Sequence, residues 1–328
     1  MEQAELIKKW RGVELNATRV FQRLRLPTNQ KYFVLTVTIA IACGLVAVSY
    51  HWLIRLISAN LIERAIASHG RTHALWMLVV PTGGGLAAGL LIHYFAPEAR
   101  GSGIPQVKIA YSMNYGRVPM RVAFGKAVIS ALNVGTGASL GREGPTVQIC
   151  AALAHLIAKM FSIPRRKQMN QLPVGAAAAI AAAFNTPIAA VTFALEEIIG
   201  DLNQKLAASI VIAAVISAMI ERALLGAHPL FIGANIYALN DSRELIAYAG
   251  LGVTAGVVGV AFSKLILWLR FVFRDRVHVP VWSKPAVGGL VIGVIGIWQP
   301  NALGLGYDFL GTVLRLSLIH ISEPTRPY

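Results

Sequence analysis

Long apolar runs separated by short polar segments make up most of this chain. A membrane-spanning helix needs about 20 predominantly apolar residues to cross about 30 Å of hydrocarbon. The runs long enough for this cover residues 33–57, 74–95, 122–140, 172–199, 206–225 and 245–273. The pattern predicts an all-α polytopic membrane protein.

Two of these runs contain residues that break or bend helices. The run at 172–199 contains Asn185 and Pro187, and the run at 74–95 contains Pro81 and three glycines at 83–85. Broken helices at membrane depth are tolerated only where protein or a watery cavity satisfies the freed backbone groups. We therefore expect broken helices in both runs, as in the interior of a transporter or channel.

The first 31 residues have a different pattern, in which apolar residues recur every three or four positions among basic ones. This spacing predicts an amphipathic helix on the cytoplasmic surface of the inner membrane, ended by Pro27. A helix packed on a cytoplasmic domain is the alternative. No signal-peptide pattern precedes the first apolar run, so we expect a cytoplasmic N-terminus.

Composition supports the membrane interpretation. Of 328 residues, 55% are hydrophobic and 14% are charged, whereas soluble domains carry about 25% charged residues. The net charge of +15 is typical of nucleic-acid binding on a polar chain, but here the basic residues lie between apolar runs, as in cytoplasmic loops. We expect a lipid bilayer and no nucleic acid as partner. Cys43 and Cys150 lie within apolar runs, which indicates packing.

The chain contains an internal repeat. A proline and glycine pattern recurs with each residue offset by 204 positions, which indicates duplication. The paired residues are Pro81 and Pro285, Gly84 and Gly288, Gly85 and Gly289, Leu86 and Leu290, and Gly89 and Gly293. Paired repeats with discontinuous helices are typical of secondary transporters. We predict a first membrane repeat at 32–240 and the start of a second, incomplete repeat at 241–315.

Residues 316–328 have no membrane pattern. Residues 316–326 resemble the in-frame translation of a transposase adapter used in sequencing libraries. We expect this tail to be non-native and the natural protein to continue with other sequence.

Two glycine–proline loops carry the candidate chemistry. The loop GSGIP consists of Gly101, Ser102, Gly103, Ile104 and Pro105, and the loop GREGP consists of Gly141, Arg142, Glu143, Gly144 and Pro145. Each proline suits the first turn of a helix, and helix N-termini present unpaired N–H groups and partial positive charge. Two such ends that converge predict an anion site. Ser102 adds a hydroxyl donor, unless it caps its own helix.

Three acidic residues are candidates for proton chemistry. An ionisable group at membrane depth is a functional candidate by default, so Glu143 is predicted to gate the anion site and accept a proton. The alternative is a surface pair with Arg142. Glu196 and Glu197 end the segment FNTPIAAVTFALEE, either as a proton access point or as solvated acids at a helix end.

The two loops, their spacing and the FNTPIAAVTFALEE segment together resemble the CLC family of chloride channels and chloride/proton antiporters, over about residues 1–313. The resemblance implies inverted repeats with broken helices, a homodimer, and chloride and protons as the transported species without a cofactor. The family's GxFxP-type loop and distal tyrosine are expected in sequence beyond this chain. Lys108 and Lys126 lie in helical contexts near the pathway, and Lys126 is expected to be buried and paired.

The resemblance also implies roles for individual residues. Ser102 matches the serine that contacts the central anion and is associated with chloride preference. Glu143 matches the external gating glutamate, and Arg142 and Gly144 match the start of the helix around that site. Glu197 matches the internal proton-transfer glutamate, where channel members commonly carry valine. Both glutamates together favour a coupled exchanger, and an uncoupled chloride channel is the alternative.

Other classes of function have less support. The sequence contains no nucleophile with its base, no metal-ligand spacing and no phosphate-binding loop, so it predicts a transport protein and not an enzyme. A membrane-surface interaction protein that recruits partners through its basic helix is a third interpretation. It predicts that Glu143 can be replaced without altering any ion flux.

Overall fold

A computed structural model describes residues 27–113, 117–201, 204–226, 241–276, 278–307 and 309–313. Over these residues the chain forms helices and no strand. The α-helices are α1 (Thr28–Asn60), α2 (Ile62–Ala67), α3 (Arg71–Tyr94), α4 (Ile104–Met113), α5 (Met120–Gly135), α6 (Glu143–Met160), α7 (Arg165–Gln168), α8 (Gln171–Phe184), α9 (Pro187–Phe193), α10 (Gln204–Leu225), α11 (Glu244–Asp275) and α12 (Lys284–Trp298). Short 3-10 turns cover Pro97–Ala99 and Pro300–Ala302, and a π-helix covers Ala194–Ile199.

Two segments predicted at the ends of the chain lie mostly or wholly outside the described residues. The amphipathic helix predicted at 1–31 lies outside the described residues except for its last few positions, where α1 already begins at Thr28. The tail at 316–328 lies wholly outside them.

Several helices are long and apolar enough to cross a bilayer. These segments are Gln30–Ala67, Arg71–Tyr94, Leu206–Leu225 and Glu244–Asp275. The prediction of a multi-pass membrane protein is thereby confirmed. Helix α11 has no buried residue, so its apolar surface faces whatever surrounds the described part of the chain.

Helix α8 lies at the centre of the bundle and packs against α1, α6, α9 and α10. Every residue from Gln171 to Ala183 is buried. A side chain at Gly175 would place its Cβ only 2.6 Å from the Cys150 carbonyl oxygen and 2.8 Å from Ala154 Cβ. Alanine and glycine therefore allow the backbones to approach closely, which is how helices pack in membranes, where burial of apolar surface supplies little drive.

The predicted break in the run at 172–199 is confirmed. Helix α8 ends at Phe184, and Asn185 adopts a left-handed conformation with φ of 56°. Pro187 then begins α9, which suits a residue with fixed φ and no N–H donor. The chain continues into the π-helix that carries Glu196 and Glu197.

The predicted break near Pro81 is wrong. Helix α3 runs without interruption through Pro81 and the three glycines at 83–85. The physical reason is the close packing of α12 on this face, since Gly85 and Gly89 lie directly against the backbone of Pro285 and Trp282. These glycines make room for a neighbouring helix instead of ending their own.

The two copies of the repeated pattern pack against each other in opposite directions. Residues of α3 that face α12 or the turn before it form the pairs Met77 and Gly293, Pro81 and Gly289, Gly85 and Pro285, and Gly89 and Trp282. The residue numbers of these pairs rise along α3 while they fall along α12, so the two helices are antiparallel. The contact of Pro81 with Gly289 is repeated by the contact of Pro285 with Gly85, which is the reciprocity of a two-fold axis. The copies are therefore inverted, which the sequence offset alone does not reveal.

We expect Gly289→Ala to destabilise the protein, because its Cβ would lie 2.7 Å from the Pro81 carbonyl carbon. Overpacking of this kind costs about 1–3 kcal/mol. Thermal unfolding in detergent measures the effect. Gly288→Ala is the matched control, since no heavy atom lies within 4 Å of its added Cβ, and alanine favours a helix by about 1 kcal/mol over glycine. Equal unfolding temperatures for the two variants would contradict the proposed packing.

Candidate functional site

The two glycine–proline loops meet through their backbones. A Cβ on Gly103 would lie 2.8 Å from the carbonyl carbon of Gly144, and a Cβ on Gly144 would lie 3.0 Å from that of Ser102. Helix α4 begins at Ile104 within the first loop, and α6 begins at Glu143 within the second. The two helix N-termini therefore converge, which concentrates unpaired N–H groups and partial positive charge at one place.

Gln106 caps helix α4. Its side-chain Oε1 accepts a hydrogen bond from the Gly103 N–H at 2.9 Å, and its Nε2 donates to the Arg100 carbonyl at 2.7 Å. This is the reciprocal half of a capping box, which a glutamine three residues into the helix makes possible. The spacing of Gln106 from Gly103 was the sequence signal for this cap. Gln106 therefore satisfies the N–H of Gly103, and Ser102 is exposed.

Lys126 binds the backbone of the first loop and of the residues before it. This lysine of α5 is only 5% exposed, and its Nζ donates to the Ala99 carbonyl at 3.0 Å and to the Gly101 carbonyl. The expectation that Lys126 is buried and paired is confirmed, and the partners are backbone carbonyls. Its ammonium therefore places a positive charge beside the loop that carries Ser102.

Arg142 ties three helices together. It is 6% exposed, and its guanidinium donates to the Ala183 carbonyl at the end of α8 at 2.7 Å and contacts His51 Nδ1 in α1. The alternative of a surface pair between Arg142 and Glu143 is therefore wrong. Arg142 is buried, and a buried guanidinium needs hydrogen-bond acceptors nearby. Residues of α1 and α8 supply these acceptors.

Glu143 is bound by a residue that sequence reasoning missed. The Tyr307 hydroxyl donates a hydrogen bond to Glu143 Oε1. Tyr307 follows Gly304 and Gly306, which repeat Gly101 and Gly103 at an offset of 203 positions. This correspondence is the signal that identifies a second loop next to the site, although it does not show which residue that loop contacts.

The predicted site residues are distributed over two clefts. One, of about 660 Å³, is lined by Ser102, Ile104, Pro105, Phe193, Glu196 and Glu197. We call it the serine cleft. The other, of about 570 Å³, is lined in part by His51, Arg142, Glu221 and Tyr307. We call it the tyrosine cleft. Ser102 and Glu197 thus lie on the serine cleft. Tyr307, which binds Glu143, lies on the tyrosine cleft.

Glu197 forms an ion pair at the serine cleft. Its Oε1 lies 3.2 Å from Lys108 Nζ of α4, and both side chains are about half exposed. Glu196 is exposed beside it. Both acids lie in the π-helix, a distortion that occurs frequently at functional sites. Among the described residues no group of three His, Cys, Asp or Glu side chains is arranged to hold a metal ion.

Residues 84–322 match the sequence profile of a family described as voltage gated chloride channel. The chain is 35% identical over 198 residues to chloride channel protein CLC-f of Arabidopsis thaliana, covering 58% of this chain and 25% of that protein. It is 31% identical over 299 residues to the H(+)/Cl(-) exchange transporter ClcA of Vibrio campbellii, covering 87% of this chain and 62% of that protein. The chain thus spans less than two thirds of the length of either relative.

The fold is similar to that of a slow cyanobacterial Cl-/H+ antiporter solved by X-ray crystallography. The TM-score is 0.74 at 22% sequence identity, and the match covers 92% of this chain and 69% of that chain. The predicted fold class is confirmed. These relatives are named as a channel and transporters, in agreement with the prediction of a transport protein and not an enzyme.

We expect Gly144→Ala to separate the two loops, because its added Cβ meets the backbone of Ser102. The expected loss is about 1–3 kcal/mol of stability, measured as a lower midpoint of thermal unfolding. Gly83→Ala is the control, since no heavy atom lies within 4 Å of its added Cβ. If the two variants unfold at the same temperature, the backbone contact is not a constraint.

Proposed function

This chain belongs to the voltage gated chloride channel (CLC) family, and from that premise we propose that the protein is a chloride/proton antiporter. The observation that carries the proposal is the position of Glu143, which lies in the first turn of α6 where that helix meets the loop of Ser102. A carboxylate there occupies the kind of environment that suits an anion, because helix N-termini stabilise negative charge.

Chloride is proposed to bind between the two loops. The Ser102 hydroxyl, the Ile104 N–H in the first turn of α4, and the N–H groups of Glu143 and Gly144 in the first turn of α6 provide neutral donors and partial charges. Neutral donors suit transport because they hold an anion without trapping it. Lys126 and Arg142 add positive charge nearby, and both are bound to backbone carbonyls.

Glu143 is proposed to act as both gate and proton acceptor. As an anion it competes with chloride for the same positive environment, and protonation removes that competition. Tyr307 supports this role, because its hydroxyl binds the carboxylate from the tyrosine cleft. Movement of Glu143 away from Tyr307 would exchange that hydrogen bond for solvent or chloride contacts.

Glu197 is proposed to relay protons from the cytoplasm toward Glu143. Its support is its position on the same cleft as Ser102, half exposed and therefore open to water. Glu197 lies in the π-helix after α9 and Glu143 begins α6, so the two carboxylates belong to separate elements.

An uncoupled chloride channel is the second candidate. It is favoured by the relative named chloride channel protein CLC-f, and it would use the same two loops. The coupled exchanger is preferred because the chain carries both Glu143 and Glu197 and because ClcA of Vibrio campbellii is named as an exchange transporter.

We also propose a homodimer in the inner membrane with a cytoplasmic N-terminus. The basic segment at residues 164–167 supports this orientation, because Lys and Arg collect on cytoplasmic loops. The exposed apolar surface of α11 is compatible with contact to lipid or protein.

Proton-coupled transport is tested on the full-length protein reconstituted in liposomes, where an imposed chloride gradient is expected to drive uphill proton movement. Glu197→Gln is expected to abolish proton movement while chloride flux continues, since the carboxamide does not accept a proton. Glu143→Gln is expected to abolish proton movement as well, because it removes the gate's titratable group.

Glu98→Gln is the matched control, since Glu98 also forms an exposed ion pair of 3.2 Å, with Arg121, away from both clefts. It is expected to leave coupling unchanged. Chloride flux without proton movement in the wild type would establish the channel instead. Intact coupling in Glu197→Gln would overturn the relay.

A further inference from the structure

The ion pair of Lys108 and Glu197 joins two elements of the serine cleft. Lys108 belongs to α4, whose first residues Ile104 and Pro105 line the cleft, and Glu197 belongs to the π-helix on its other wall. The N–O distance is 3.2 Å, and the side chains are 52% and 49% exposed. The pair is therefore in contact with solvent.

Lys108 lies on the same face of α4 as Ile104. Residues four apart on a helix are neighbours on its surface, about 6 Å apart along the axis. Ile104 lines the cleft, and so does Glu197, whose carboxylate binds the Lys108 ammonium, so the ammonium lies beside a carboxylate of the cleft wall. An anion that enters the cleft beside Glu197 therefore comes close to the ammonium.

We propose that Lys108 is an anion-binding residue at the serine cleft, whose ammonium is shared between Glu197 and an incoming halide. The inference rests on the proposed function for the identity of the anion as chloride. An ammonium has three N–H donors, so exchange of a carboxylate for a chloride ion breaks one contact and forms an equivalent one.

The exposure of the pair makes this exchange feasible. Exposed ion pairs are weakly held, because water screens the charges and both side chains lose rotamer freedom on pairing. A fully buried pair would instead leave an uncompensated charge when one partner was displaced. Lys126, by contrast, is buried and bound by two carbonyls, so it positions the loop and does not exchange partners.

Glu197 consequently lowers the anion affinity of the cleft while it occupies Lys108. Replacement of the Glu197 carboxylate by a neutral group is expected to free the ammonium. This gain depends on Lys108 being present, which distinguishes exchange at the ammonium from long-range repulsion between Glu197 and the anion.

The test is isothermal titration of potassium chloride into the purified full-length protein and its variants. Lys108→Gln is expected to weaken chloride binding about two- to fivefold, the range of a solvent-exposed charge contact. Lys108→Arg keeps the charge and is expected to bind nearly as the wild type does. Glu197→Gln is expected to strengthen binding by a similar factor in the wild-type background and to have no effect in the Lys108→Gln background.

Arg121→Gln is the matched control, because it also removes one positive charge from an exposed 3.2 Å ion pair. It is expected to bind chloride as the wild type does. Equal binding by Lys108→Gln and the wild type would overturn the inference, and so would an equal effect of Glu197→Gln in both backgrounds.

Failure of this inference and failure of the proposed function give different results. If the wild type shows no chloride-driven proton movement but Lys108→Gln weakens chloride binding, the anion site stands and the antiport mechanism fails. If coupling is present and the Lys108 variants bind chloride normally, the antiport mechanism stands and the role of Lys108 is wrong.

Discussion

The direct backbone contact between Gly103 and Gly144 is the constraint on which the site depends. It holds the first turns of α4 and α6 against each other, so that two sets of helix N–H groups face one region. Any Cβ at either position would meet a carbonyl group and separate the helices. The loops that carry Ser102 and Glu143 touch only because both glycines lack a side chain.

Buried cations stabilise this contact without cancelling its positive character. Lys126 binds the carbonyls of Ala99 and Gly101, and Arg142 binds the carbonyl of Ala183. Carbonyl dipoles bind both cations but carry no net negative charge. The loops consequently remain favourable for an anion, whether it is a Glu143 carboxylate or a transported ion.

Close packing of small residues positions the groups that bind Arg142 and Glu143. Helix α8 packs tightly because of its alanines and Gly175, and its last carbonyls come within reach of Arg142. The reciprocal packing of α3 on α12 brings the start of the second repeat to the first, and with it Tyr307 to Glu143. The proposed anion site therefore combines residues from both copies of the repeat.

The sequence by itself determined the all-α membrane character, the helix starts at the two loops and the break between Asn185 and Pro187. These features follow from local properties: apolar length, proline geometry and the left-handed tolerance of asparagine. Only the tertiary structure decided that Pro81 leaves α3 intact, and its packing showed the inversion of the repeats that the family resemblance implied and the sequence offset did not reveal. It alone identified the partners of Arg142, Lys126 and Glu143. Glycines near a proline can end a helix or let a neighbouring helix pack closely against their own. Which of the two occurs in α3 depends on the residues of α12, about 200 positions away in the sequence.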